Sequence, residues 1–236
     1  MVGVPRITKA PKKAVIPPLR DGDRLTAAEF HRRYEGMPEL KKAELINGVV
    51  YLGLTRTTIA QGSSQAALTC WLGYYHAYTP GTEGGRNPTL RFEFGENEPQ
   101  PDDVLLLLPE YGGRSWTDEN GYLVGAAELT AEISSSTVRR NPRARMDAFE
   151  QNGIVEYIVW RVEDQEIDWF ILKRGKYQLL VKTKDGLYKS KVFPGLWLDA
   201  KAMIGGDMIK VLEVVQQGIA SPEHRRFAAK LRSKKK

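Results

Sequence analysis

One carboxylate stands inside an apolar run, and it constrains the fold more than any other feature of the chain. The run covers residues 129–133, with the sequence LTAEI, and apart from Glu132 it has the composition of a buried strand. Burying an ionised carboxylate is costly unless it is paired or binds a metal. Earlier in the chain, Asp102 stands at the start of a second apolar run over residues 104–108. We therefore predict that the two runs form adjacent strands and that Asp102 and Glu132 lie together.

Two neighbouring carboxylates are suited to binding a hard divalent cation. Mg²⁺ and Mn²⁺ prefer oxygen ligands, and carboxylates with water molecules commonly complete their coordination. The pair Asp102 and Glu132 therefore predicts Mg²⁺, or Mn²⁺, as the cofactor of a metal-dependent phosphodiesterase site. The histidines of the chain have no metal-ligand spacing and are not part of this prediction.

Local sequence signals predict the elements around this pair. Asn47-Gly48 between apolar residues predicts a hairpin with Glu44 on its first strand, although on local grounds alone Glu44 could be a solvated strand residue. Residues 59–78 have helical periodicity, and Asn141-Pro142 is typical of a second helix start. Strands are further predicted at residues 89–94, 104–108, 129–133, 155–161, 165–172 and 177–181, with a loop at residues 109–120.

These elements predict a mixed α/β (α+β) fold, with a central, mainly antiparallel sheet flanked by helices. We expect a basic, proline-rich flexible arm over residues 1–22, the main domain over 23–218, and a C-terminal helix with a basic tail over 219–236. No apolar run approaches the roughly 18 residues that span a bilayer, and the N-terminus lacks a signal-peptide core, so we expect a cytoplasmic protein without a membrane partner. The single cysteine, Cys70, excludes an internal disulfide and is expected to be buried.

The order of the acidic residues resembles that of the PD-(D/E)xK nucleases. Glu44, then Pro101-Asp102, then Glu132-Ile133-Ser134 follow one another as in that restriction-endonuclease-like superfamily. The likeness is closest to a widespread bacterial family of small proteins described as restriction endonucleases. It covers roughly residue 25 to the C-terminus and includes the segments GIVEY, residues 153–157, and VFPGLWL, residues 192–198.

This resemblance implies a restriction-endonuclease-like core and a DNA endonuclease that cleaves phosphodiesters with metal-activated water. It implies Asp102 and Glu132 as metal ligands, the Ile133 carbonyl as a third ligand, and Glu44 as the acid that completes the site. The lysine that this family carries on the following helix corresponds to Arg145 in this chain. A homodimer is implied by family habit, because cutting both strands needs two sites.

Arginine is common around the predicted start of that helix, and the chain has a net charge of +6. A guanidinium binds phosphate well, but its pKa, above about 12, makes it a poor general base. We predict that Arg139, Arg140 and Arg143 contact the phosphates of DNA. Two alternatives remain open: a nuclease fold that binds nucleic acid without turnover, and an oligomerising scaffold whose basic excess serves solubility.

Overall fold

A six-stranded sheet with helices on both faces forms the centre of the chain, as a computed structural model describes it for residues 16–53, 58–134 and 142–234. Within these ranges the helices are α1 (Ala27–Glu35), α2 (Ile59–Tyr78), α3 (Pro142–Asn152), α4 (Ala200–Ile204), α5 (Met208–Ile219) and α6 (Pro222–Lys234). The strands are β1 (Ala43–Ile46), β2 (Val49–Leu52), β3 (Thr82–Arg86), β4 (Leu90–Arg91), β5 (Asp103–Leu107), β6 (Ser115–Thr117), β7 (Leu123–Gly125), β8 (Leu129–Ser134), β9 (Glu156–Arg161), β10 (Glu166–Lys173), β11 (Lys176–Leu179), β12 (Tyr188–Lys189) and β13 (Trp197–Leu198).

The central sheet has the strand order β11-β10-β9-β8-β5-β3. Its neighbours pair antiparallel except β8 and β9, which are parallel. A parallel pair needs a crossover connection, and α3 lies between these two strands in sequence. The predicted mixed α+β fold with a mainly antiparallel sheet is therefore confirmed.

Strand alternation divides the core between the two faces of the sheet. On one face, Leu105 of β5 packs in a cluster with Trp71 of α2 and Val211 of α5. On the other face, Val104 and Leu106 pack with Phe149 of α3. Because successive strand residues point to opposite faces, the apolar run of β5 fills both cores at once. A buried strand of this kind fixes the position of the residues at its ends.

Several predictions of local structure were wrong. Strand β3 was missed because its sequence, TEGGR, has no apolar alternation; its backbone pairs with β5 at the edge of the sheet. Only Leu90–Arg91 of the predicted strand 89–94 is regular, and Phe94 is exposed. The predicted loop 109–120 contains a 3-10 helix and β6. Cys70 is exposed on α2, because it falls outside the positions of that helix that face the sheet.

In the part of the chain that the structure describes, no helix is both long enough and apolar enough to cross a membrane.

A buried carboxylate at the start of β9 organises the loop that follows β12. Glu156 is fully buried, and its carboxylate accepts hydrogen bonds from the Ser190 hydroxyl at 2.7 Å and the Lys191 amide at 2.6 Å. Burial raises the pKa of Glu156, and these hydrogen bonds oppose that rise. The glutamate of the GIVEY segment therefore has a structural role, since it satisfies backbone donors of a turn that leads to β13.

Replacing Glu156 with alanine should lower the free energy of unfolding by about 2–4 kcal/mol, because it leaves buried donors without an acceptor. Urea unfolding of the wild type and the variant measures this difference. Glu166→Ala is the control, since that side chain is 61% exposed and its ion pair with Arg161 lies at the surface. Its expected effect is within about 0.5 kcal/mol. Equal losses in the two variants would contradict the structural role of Glu156.

Candidate active site

The β1–β2 hairpin brings Glu44 into the interior. Asn47 and Gly48 have φ values of 50° and 73°, the left-handed conformation that a tight two-residue hairpin turn requires. The register pairs Glu44 with Tyr51. Glu44 is 8% exposed, and the backbone amide of Gln100 donates to its Oε1 at 2.7 Å. The interpretation of Glu44 as a solvated strand residue is therefore wrong.

Asp102 and Glu132 face each other across the antiparallel strands β5 and β8. The register pairs Asp103 with Ala131, and its continuation places Asp102 opposite Glu132. Directly opposed residues project from the same face of a sheet, with Cβ atoms roughly 5 Å apart. The Ile133 amide donates to Asp102 Oδ2 at 2.8 Å, which fixes this carboxylate beside β8. The predicted proximity of the two acids thus has a geometric basis in the sheet.

Arg145 of α3 bridges Glu44 and Glu132. Its Nη1 and Nη2 donate to the two oxygens of Glu44 at 2.9 and 2.6 Å, and Nη1 also donates to Glu132 Oε1 at 2.7 Å. The Tyr157 hydroxyl donates to Glu132 Oε2 at 2.6 Å. Side-chain exposure is 13% for Arg145 and 1% for Glu132. The unusual carboxylate of β8 is therefore paired with a cation and held in a defined orientation.

The electrostatics of this ion-pair cluster fix its protonation states. Burial acts to raise the pKa of Glu44, but the charge and hydrogen bonds of Arg145 outweigh it and the pKa is lowered. Burial acts to lower the pKa of Arg145, and the two carboxylates raise it well above its ordinary value. Arg145 thus remains a cation at any physiological pH, so it cannot accept a proton from water. Its chemical capacity is to hold carboxylates in place.

The second oxygen of Asp102 faces a different set of side chains. Lys42 Nζ and Gln65 Nε2 each lie 3.4 Å from Asp102 Oδ1, which is long for a hydrogen bond. Gln65 Oε1 in turn accepts from Arg86 Nη2 at 2.9 Å. Asp102 Oδ1 therefore keeps the capacity to accept a shorter contact. Lys42 precedes β1 and stands two residues before Glu44, which is the spacing of one strand face.

The structure brings four of the predicted residues together and leaves others apart. Glu44, Glu132 and Arg145 form one ion-pair cluster and the strand register places Asp102 opposite Glu132, whereas Arg143 is 73% exposed and pairs with Asp147 on its own helix. Arg139 and Arg140 lie outside the described residues. The sequence analysis missed Lys42, Gln65 and Tyr157; the two-residue spacing of Lys42 and Glu44 was the available signal for the first.

The donor atoms present suit a hard cation, although they are few. Among the described ranges, no group of three or more histidine, cysteine, aspartate or glutamate side chains is arranged to hold a metal ion. Asp102 and Glu132 provide two opposed carboxylates on one sheet face, and Mg²⁺ sites often use only one or two carboxylates with water. The weakly engaged Oδ1 of Asp102 is the donor atom best placed to take a ligand.

Comparison with known proteins identifies a family for the chain and a solved structure with a similar fold. A model of the Uma2 family, described as "Putative restriction endonuclease", matches residues 27–201. The crystal structure of "a putative nuclease belonging to DUF820" from Anabaena variabilis has a similar fold, with a TM-score of 0.54 and 14% sequence identity. That similarity covers 76% of this chain and 99% of the other. No curated protein matches the chain.

Proposed function

We propose that this chain, which belongs to the Uma2 family of restriction-endonuclease-like proteins, is a DNA endonuclease that uses a divalent cation. The observation that carries this proposal is the convergence of three buried carboxylates from separate elements. Glu44, Asp102 and Glu132 are exposed by 8%, 8% and 1%, and two of them are opposed across β5 and β8. Burying three acids together is unfavourable for stability alone, so a role in chemistry explains the arrangement best.

Each residue of the cluster has a distinct proposed role. Asp102 and Glu132 would hold Mg²⁺ or Mn²⁺, with the Ile133 carbonyl as a third ligand. When bound, such an ion supplies an activated water and stabilises charge on the phosphate that is attacked. Arg145 fixes Glu132 through Nη1 at 2.7 Å, and Tyr157 fixes its other oxygen at 2.6 Å. Glu44, which Arg145 holds through both oxygens, anchors that arginine rather than facing the substrate.

Substrate and assembly follow from the proposed reaction. The net charge of +6 favours a polyanion, and DNA is the substrate that we propose. Cleavage of both strands of a duplex by one kind of site needs two copies, so we propose a homodimer that acts in the cytoplasm. Arg139, Arg140 and Arg143 remain our proposed DNA contacts, of which only Arg143 lies within the described residues.

A second candidate function rests on the state of Arg145. Its guanidinium donates three hydrogen bonds to Glu44 and Glu132, and it cannot serve as a general base. A nuclease fold that binds DNA without turnover would need no such base. On this hypothesis Arg145→Lys creates or raises cleavage, because a lysine at this position can lose a proton when it is buried.

Plasmid cleavage tests the proposal directly. The purified wild type should nick or linearise supercoiled DNA with Mg²⁺ or Mn²⁺, and excess EDTA should stop it. Glu132→Ala, purified in parallel, should be inactive and controls for contaminating nucleases. If neither protein cuts while calorimetry shows metal binding that depends on Glu132, the binding-only function is supported instead.

A further inference from the structure

Among the residues that the structure describes, Arg145 and Lys42 reach the carboxylate cluster, and they differ in the hydrogen bonds that they can still donate. Arg145 is 13% exposed, and both of its Nη atoms donate to the buried glutamates Glu44 and Glu132. Lys42 is 32% exposed and contacts Asp102 Oδ1 at 3.4 Å. An ammonium group has three N–H donors, and one long contact leaves most of that capacity for another ligand. An anion that approaches Asp102 from solvent therefore meets Lys42, not Arg145.

The same side of Asp102 carries a second cation at the edge of the sheet. Arg86 is exposed at the end of β3, and its Nη2 donates to Gln65 Oε1 at 2.9 Å. Gln65 Nε2 lies 3.4 Å from Asp102 Oδ1, so the glutamine connects the edge strand with the acid cluster. Among the described residues, Arg86 has no carboxylate within ion-pair distance. Lys42, Gln65 and Arg86 together form a row of donors that we call the β3-side row.

The cations around the acids offset the repulsion that a bound anion would otherwise meet. The cations Arg145, Lys42 and Arg86 match the carboxylates Glu44, Asp102 and Glu132 in number. A phosphodiester that approaches this edge of the sheet therefore meets the N–H donors of Lys42, Gln65 and Arg86, beside acids that are matched by an equal number of cations.

We propose that the β3-side row binds a backbone phosphate of the DNA substrate next to Asp102, with Lys42 as the residue that positions it. This inference rests on the proposed nuclease function. It also assigns a contact surface that does not include Arg143, which is paired with Asp147 at 3.1 Å. The DNA backbone then enters between the β1–β2 hairpin and the edge strand β3. It reaches the acid cluster from the side on which Asp102 Oδ1 faces these donors.

DNA binding measured under conditions that prevent cleavage tests this proposal independently of whether the protein cuts DNA. Fluorescence anisotropy of a labelled duplex oligonucleotide, measured in EDTA over a range of salt concentrations, gives both the affinity and its salt dependence. We expect Lys42→Gln and Arg86→Gln each to weaken binding on the order of fivefold, and to lower the slope of log K against log salt by about 0.9 for each lost phosphate contact. Both substitutions keep polar, partly exposed side chains, and a thermal melt checks the fold.

Lys41→Gln is the matched control, because it removes the same charge from the adjacent exposed position. It should leave the affinity and the salt slope close to those of the wild type. The proposal is overturned if Lys42→Gln and Lys41→Gln bind alike, or if the wild type shows no salt-dependent binding. Competition with millimolar inorganic phosphate distinguishes two kinds of site. Inorganic phosphate would displace DNA from a site for free phosphate, but not from a site for the DNA backbone. If the wild type binds through Lys42 but does not cut DNA, the proposed nuclease function fails while this contact stands.

Discussion

Replacing Arg145 with methionine should lower the free energy of unfolding by about 3–5 kcal/mol, the range for removing one partner of a buried ion pair. The guanidinium lies between Glu44 and Glu132, whose side chains are 10% and 1% exposed. Methionine fills much of the volume but offers no donors. The two carboxylates would then repel each other in a buried site, where the charge of Lys42 also acts on Glu44 but its ion pair is with Asp102.

The loss of stability in Arg145→Met should depend on pH, and its direction follows from the pKa of Glu44. In the wild type, the pKa of Glu44 lies below its usual value of 4.5, so its ion pair stabilises the fold above that pH and is lost as the pH falls through the lower folded pKa. In Arg145→Met, burial is no longer opposed by the arginine and raises the pKa of Glu44. The folded variant then gains stability relative to the wild type as the pH falls. The difference between the two proteins should therefore be larger at pH 7.5 than at pH 5.

Urea unfolding at these two pH values measures both effects. Arg143→Met is the control, since Arg143 lies on the same helix, is 73% exposed and pairs with Asp147 one turn away. A surface pair of this kind contributes about 0.5 kcal/mol or less. If Arg145→Met were no less stable than Arg143→Met, Arg145 would not be the cation that stabilises the acid cluster.

Local signals in the sequence were sufficient to predict much of the fold. The Asn47-Gly48 turn predicted the hairpin, and helical periodicity predicted α2 over its observed range, Ile59–Tyr78. Both elements depend on short-range geometry, which the residues themselves specify. Strand β3 could not be found in this way. It contains two glycines and no alternating apolar residues, so its structure depends on backbone pairing with β5, a contact distant in sequence.

The acids of the site were predictable because a buried carboxylate conflicts with its apolar surroundings. The residues that pair with those acids were harder to predict. Arg145 was predicted at the site, but the sequence does not show that it spans Glu44 and Glu132, since this depends on how α3 packs beside the hairpin. Lys42 was missed because its relation to Asp102 arises only when β1 and β5 are placed together. Charged residues can be identified in the sequence, whereas the pairs that they form depend on the tertiary structure.

Asp102→Asn should reduce metal-dependent DNA cleavage on the order of 10²–10³-fold or more while leaving the fold intact, an effect comparable with removal of a strong electrostatic contribution to catalysis. Asparagine is nearly isosteric with aspartate, and its carbonyl oxygen can still accept from the Ile133 amide. The substitution removes the negative charge that faces Lys42 and Gln65 and that would bind the cation. Metal affinity, measured by calorimetry, should therefore fall together with the cleavage rate.

Asp103→Asn provides a matched control one residue away. Asp103 is also buried, but it pairs with Ala131 rather than with Glu132, and its Oδ1 accepts from the Thr69 hydroxyl at 2.8 Å. This variant should bind metal and cleave DNA at close to the wild-type rate, because it loses no donor atom of the site. An Asp102→Asn protein that cuts as fast as Asp103→Asn would refute the assignment of Asp102 as a ligand. Because both variants exchange one buried carboxylate for an amide, a difference in cleavage between them would reflect the position of Asp102 opposite Glu132.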